Sequence, residues 1–228
     1  MFYKQKEIAI LVFANSSKEE LKHKRIANGE QLFNYFNSQT IDKVRKTGLP
    51  FTIYSEKEQH GNTFGERFTN AIEDLFNKGY QKIITIGNDS PNLKASHLID
   101  ACNKLLENDV VIGPSTDGGI YLMGLHKQNF EKQTFLKLPW QTKKLARTII
   151  STTSSKGQKI EVQQKLRDID GFQDLKYFFY NTKNLSQTLK SILIRLLTSF
   201  SKKINYKNIF ISIYIFKTTF NKGSPDLI

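Results

Sequence analysis

Lys82-Ile83-Ile84-Thr85-Ile86-Gly87-Asn88-Asp89-Ser90-Pro91 is the stretch that decides the fold. Its first six residues are a short run dominated by β-branched Ile and Thr, which reads as a buried strand. A polar loop follows, and Ser90-Pro91 predicts a helix opening there with proline at its first position. Leu98, Ile99, Cys102, Leu105 and Leu106 are expected on that helix's inner face. Upstream, Phe64, Phe68, Ala71, Ile72, Leu75 and Phe76 form a stripe at helical spacing. Thr63 with Glu66 is a capping box, and Gly79 can end that helix. Working outward, residues 8–14 and 50–55 read as strands and 29–45 as a helix. Downstream, 109–113, 120–125 and 160–162 read as strands, and 141–151 and 173–180 as helices. Strands alternating with helices predict an α/β domain around a mostly parallel sheet. In such sheets ligands sit beyond the carboxyl ends of the strands.

Composition narrows the class. The chain has 228 residues, 39% of them hydrophobic, an ordinary globular balance. A lone cysteine, Cys102, excludes a disulfide framework, and His23, His60, His97 and His126 form no zinc spacing. Residues 8–14 follow Lys4 and Lys6, but Glu7 abuts them, so a buried first strand is preferred to a signal segment. A reduced, cytoplasmic location is expected. There is no G-x-G-x-x-G, no G-x-x-x-x-G-K-[ST] and no G-x-S-x-G. A dinucleotide Rossmann site, a P-loop ATPase and an α/β-hydrolase are therefore not supported.

The formal charge is +13, and residues 181–228 hold eight basic residues against the single acid Asp226. More than half of the excess thus lies in the tail. No nucleic-acid motif accompanies it, so nucleic acid is disfavoured as a partner. Within the tail, Leu185, Leu189, Ile192, Leu193, Leu196, Leu197 and Phe200 make an amphipathic helical stripe. The alternation from Ile209 to Phe216 reads as a strand. The tail is expected to pack on the core or a second subunit; the sharper reading is docking on an anionic membrane surface.

Four polar clusters fall at strand ends. Asn88 and Asp89 follow the central strand; a carboxylate there suits Mg²⁺, or equally caps the next helix. Asp117, Gly118 and Gly119 permit close backbone approach to a ligand, or form a plain turn. Asp168 and Asp170 share a side of an extended segment, where one could join Asp89 on a metal or Asp170 could cap a helix. Lys22, Lys24 and Arg25 could hold phosphates, or lie on a solvated face.

In order along the chain, F-G-E-R-F, G-N-D-S-P, D-V-V-I-G-P-S-T-D-G-G-I-Y-L-M-G-L, L-P-W-Q-T and R-D-I-D-G-F-Q-D-L resemble the rSAM/selenodomain-associated transferase family. That family belongs to the nucleotide-diphospho-sugar transferase superfamily and is similar to 2-phospho-lactate guanylyltransferase. The resemblance spans about residues 7–178. It implies a three-layer GT-A-like fold over residues 1–180, with residues 181–228 a C-terminal helix–strand extension. It implies a Mg²⁺- (or Mn²⁺-) dependent transferase taking a nucleoside triphosphate or nucleotide sugar and a small-molecule acceptor. Asp89 and Asp170 would be the metal ligands, and Asp89, Asp117 and Asp170 the catalytic carboxylates. Lys22, Lys24, Arg25, Gly65, Glu66 and Asn88 would meet the nucleotide. Gly118, Gly119, Tyr121 and Trp140 would shape the acceptor side. The first loop departs from the family's K-A-P-x-P-G-x-V-K-T-R-L, with Glu19 and Glu20 near the expected phosphate position. A non-catalytic or membrane-recruited module on a transferase scaffold is the contrasting expectation.

Overall fold

The computed structural model describes residues 7–201. The chain runs β1 (Ile8–Phe13), α1 (Ser17–His23), α2 (Glu30–Arg45), β2 (Phe51–Tyr54), α3 (Phe64–Asn77), β3 (Lys82–Ile86), α4 (Ala95–Lys104), β4 (Val110–Pro114) and β5 (Ile120–His126). It continues through α5 (Lys132–Leu136), α6 (Leu145–Ser155), β6 (Ile160–Val162), α7 (Phe172–Asn181) and α8 (Gln187–Ser201). The strands form one sheet in the order β2-β1-β3-β5-β4-β6. β5 pairs antiparallel with β3 and β4, and the remaining pairings are parallel.

β1 is buried along its whole length because both faces of the sheet are covered. Its alternation splits the core in two. Ile8, Ile10 and Val12 pack with Val44 of α2 and Leu98, Ala101, Cys102 and Leu105 of α4. Ala9, Leu11 and Phe13 pack with Phe68, Ile72 and Leu75 of α3 and with Leu145 and Ile149 of α6. Three layers follow, as expected. The Thr63–Glu66 capping box is present at α3. Gly79, just past its end, has φ +100, a conformation glycine takes without strain.

The structure differs from the sequence reading in particular places. Ser90-Pro91 opens no helix: Leu93 N–H donates to the Ser90 carbonyl (3.0 Å) in a turn, and α4 begins only at Ala95. Ile99 is exposed because the ten-residue α4 buries a narrow stripe and Ile99 lies on its flank, and Leu106 is exposed because α4 ends at Lys104 and Leu106 falls in the turn beyond it. Residues 141–144 are a turn rather than the start of α6. Gln141 takes a left-handed φ of 58°, and Ala146 N–H donates to the Gly118 carbonyl (3.0 Å), so this segment is shaped by the loop beneath it. β4 shifts register between Gly113 and Pro114.

α8 lays Leu189, Leu193 and Leu196 against Phe33 and Phe36 of α2 and Leu175 and Phe178 of α7. Its apolar stripe thus faces protein. The strand expected from Ile209 to Phe216 and the basic residues beyond Lys202 lie outside the described residues. No helix among the described residues is long and apolar enough to cross a membrane.

Lys43 of α2 is half-buried, its ammonium donating to the Pro91 carbonyl (3.2 Å), and desolvation pushes its pKa down to about 8. The charged form is thus disfavoured in the folded state, a penalty fully present below pH 8. Between about pH 8 and the ordinary lysine range the unfolded chain binds more protons, so stability rises with pH. Lys43→Met should stabilise the fold at pH 7, by at most about 3 kcal/mol. Denaturant titrations from pH 7 to 10.5 should show that advantage shrinking as pH rises.

Candidate active site

β1, β3 and β4 end on the same side of the sheet, and their following loops line a cleft of about 290 Å³. Backbone hydrogen bonds assemble its polar wall. Leu166 N–H donates to the Pro114 carbonyl (3.2 Å) and Thr116 N–H to the Leu166 carbonyl (2.9 Å). Ile169 N–H donates to the Asp89 carbonyl (2.9 Å), and Arg25 N–H to the Asp170 carbonyl (3.1 Å). The segment from Leu166 to Gly171 is thereby sewn across the ends of β3 and β4 and onto the end of α1. Asp89 and Asp170, far apart in sequence, meet for this reason.

They meet on Lys24. Its ammonium donates to Asp89 Oδ2 (2.7 Å) and to Asp170 Oδ1. The Lys24 side chain is only 12% exposed. Burial opposes its charge, but Asp89 and Asp170 outweigh burial and hold its pKa well above the ordinary lysine range. Neither aspartate caps a helix: Gly171 precedes α7 without a side-chain cap, and α4 starts well after Asp89.

Two further carboxyls lie in this wall. Asp168 accepts from the Ser90 hydroxyl; burial, then the neighbouring Asp89, pushes its pKa up to about 8. Glu20 is 6% exposed and also raised by burial, with Lys24 acting against the shift. Glu19 instead pairs with Lys22 (2.5 Å) outside the cleft. The helix start that precedes them is closed by the chain itself, since Ser16 donates its N–H and its hydroxyl to the Glu56 carboxylate (2.7 Å each).

The opposite wall is aromatic. Phe13 meets Phe64 edge-on (5.6 Å) and Phe68 edge-on (5.1 Å), and Trp140 tilts against Phe68 (5.0 Å). Trp140 Nε1 donates to the Phe135 carbonyl (2.7 Å), which fixes the indole. Gly65 explains how it fits: a Cβ there would stand 2.4 Å from Trp140 Cδ1.

Lys24, Asn88, Asp89, Asp117, Asp170, Gly119, Tyr121 and Trp140 all line the cleft. The other candidates do not. Lys22 and Arg25 are exposed; Gly65 lies behind the indole; Glu66 holds Asn62 and Thr63 N–H in the capping box. Gly118, with φ +95, makes the turn against Lys143. Asp117 bends back to accept from Ser115 Oγ (2.5 Å) and Gly119 N–H (2.9 Å). Tyr121 donates to the Gln164 carbonyl (3.0 Å), its ring against Gly113, and burial raises its pKa to about 12. Asn88 donates to Asn37 Oδ1 (2.6 Å). The burial of Asp168 and Glu20 and the aromatic Phe13–Phe64–Phe68 wall are what the sequence reading does not supply. Their signal is burial in a loop or at a strand end, which spacing does not display.

Mg²⁺ or Mn²⁺ between Asp89 and Asp170 can be tested against this geometry. The oxygens converge as a hard cation requires. The point of convergence, however, is filled by the Lys24 ammonium. Among the described residues no group of three or more His, Cys, Asp or Glu could hold a metal ion. As arranged, these residues do not fit a divalent cation.

Comparison with known proteins agrees with the fold. Residues 35–142 match the family model DUF2064, described as an uncharacterized protein conserved in bacteria. No curated protein matches the chain by sequence. A crystal structure from Desulfovibrio desulfuricans G20, provisionally described as a nucleotide-diphospho-sugar transferase, is similar with a TM-score of 0.74 and 21% identity. That match covers 86% of this chain and 97% of the other. The Rv0371c protein of Mycobacterium tuberculosis H37Rv is similar with a TM-score of 0.52 and 12% identity, over 77% of this chain and 98% of the other. At these identities the likeness concerns the fold alone, the three-layer α/β architecture.

Trp140 is the chain's single tryptophan, so its fluorescence reports on the cleft. Gly65→Ala should drive the indole from its seat, cost on the order of 1–3 kcal/mol, and shift the emission maximum in the folded state. An unchanged spectrum and melting point would contradict the packing described.

Proposed function

We propose that the chain is a transferase that takes a nucleotide-activated donor in the cleft beyond β1, β3 and β4. One observation carries this reading: a buried ammonium clamped by two aspartates faces an aromatic wall across a single cleft at the strand ends. The charged side suits a donor's phosphates. The aromatic side suits a flat base or a sugar face. The similarity in fold to a nucleotide-diphospho-sugar transferase supports it.

In this reading Lys24 meets the phosphates with Asn88 beside it, while Lys22 and Arg25, exposed outside the cleft, contribute only longer-range positive charge. Asp89 and Asp170 orient Lys24. Asp117, Gly119, Tyr121 and Trp140 bound the acceptor side, and Gly118 makes the turn that carries Asp117 and Gly119. An acceptor oxygen forms the new bond to the donor's α-phosphorus or to its anomeric carbon. The bond to pyrophosphate or to the nucleoside diphosphate breaks, its electron pair leaves with that group, and the acceptor's proton passes to water. Both versions place the leaving phosphates on the Lys24 side.

A second reading, a non-catalytic binding module, is favoured by Glu20, an acidic side chain buried on the expected phosphate side. Membrane recruitment would rest on residues beyond α8, since the apolar stripe of α8 already faces α2 and α7.

Thermal melts against nucleoside triphosphates and nucleotide sugars test the donor site. A ligand at a hundred times its Kd should add about 2.7 kcal/mol by mass action, a rise of a few degrees. Asp89→Asn should remove that rise, because Lys24 loses one of its two anchors. Absence of any shift at millimolar ligand would favour the second reading.

A further inference from the structure

We propose that Lys24 is the resident cation of the cleft: its ammonium keeps a divalent cation out of the Asp89–Asp170 pair and itself supplies the positive charge there. The exclusion stands on geometry alone; the ammonium's use toward donor phosphates rests on the transferase reading.

Lys24 is held in place by its backbone. It ends α1 in an extended conformation (φ −93°, ψ 135°), which turns the chain out of the helix. Its N–H donates to the Glu20 carbonyl (2.8 Å), and its own carbonyl accepts from Ile26 N–H (2.9 Å). The next residue, Arg25, is tied to Asp170 by its N–H. The side chain therefore leaves a pinned backbone and ends between two carboxylates, one of which belongs to the segment that pins it. Withdrawing the ammonium would strand two carboxylates beside the buried Glu20 and Asp168. Retaining it leaves a divalent cation facing a like charge at hydrogen-bonding range. Either way the pair favours the lysine over a metal that demands several oxygen ligands in a regular shell.

Binding of Mn²⁺ alone, followed by electron paramagnetic resonance on the full chain, tests the exclusion without nucleotide. The unsubstituted protein should show no site in the hundred-micromolar range. Lys24→Met should gain one at least tenfold tighter, and Lys24→Met combined with Asp170→Asn should lose it again. Equal Mn²⁺ binding by parent and Lys24→Met would overturn the proposal, and so would failure of the folded variant to gain a site. Removing one partner of a buried ion pair is destabilising, so Lys24→Met should melt lower than the parent, with Mn²⁺ restoring the difference. The parent itself gives a measurement that needs no variant. Its nucleotide-induced thermal shift should be the same in EDTA as in Mn²⁺, and a shift seen only with Mn²⁺ would overturn the proposal. No shift in either condition, with Mn²⁺ still excluded, would count against the transferase reading and leave the exclusion standing.

Discussion

The ion triad of Lys24 with Asp89 and Asp170 joins three parts of the chain that lie far apart in sequence. Asp89 rides on the end of β3, Lys24 on the end of α1, and Asp170 on the segment between β6 and α7. Each is delivered by backbone, through the parallel register of β1 with β3 and through the N–H bonds of Ile169 and Arg25. The charges then act on a geometry already built. Had any of the three arrived loosely, a single buried ammonium would not hold two carboxylates against their mutual repulsion.

The opposite wall obeys a steric constraint instead. Phe13, Phe64, Phe68 and Trp140 come from a strand end, a helix start and a loop, and their rings interlock only because Gly65 has no Cβ. The same device recurs across the cleft, where a Cβ on Gly113 would lie 2.4 Å from the Tyr121 ring. Two glycines thus set how deep two aromatic rings can sink. The cleft's polarity follows: fixed charge on one side, fixed apolar surface on the other.

Much of this was legible in the residues. The apolar runs of β1 and β3, the α3 stripe and its capping box are local signals, and the layers follow from them. The antiparallel insertion of β5 between β3 and β4 is not local, since residues 120–125 carry the same apolar run either way. Ser90-Pro91 carries a helix-start signal, yet the loop uses Ser90 to hold Asp168 and delays α4 to Ala95. Lys24 was recognisable as a phosphate candidate because it lies in a basic cluster. Its carboxylate partners were separately recognisable as metal ligands. That the three would satisfy one another depends on the Leu166–Gly171 crossover, which no spacing within the sequence encodes. Asp168 was legible as a possible partner of Asp89 and Glu20 as a charge near the phosphate position, but their burial was not, being a property of the assembled fold.

An ammonium in this position constrains a bound anion differently from a metal. Lysine has three N–H donors, and Asp89 and Asp170 take two of them. One donor remains, enough for one phosphate oxygen, whereas an octahedral cation can bridge two phosphates at once. The rest of a diphosphate's charge must then be met by groups outside the triad. The raised pKa of Asp168, about 8, bears on this, because a carboxyl that stays protonated near neutral pH adds no repulsion where the phosphates would lie. The chain's formal excess of +13 favours anions in general, without directing any single oxygen. Under the transferase reading, specific placement of a donor would fall to the fixed geometry of Lys24 on one wall and the locked aromatic rings on the other.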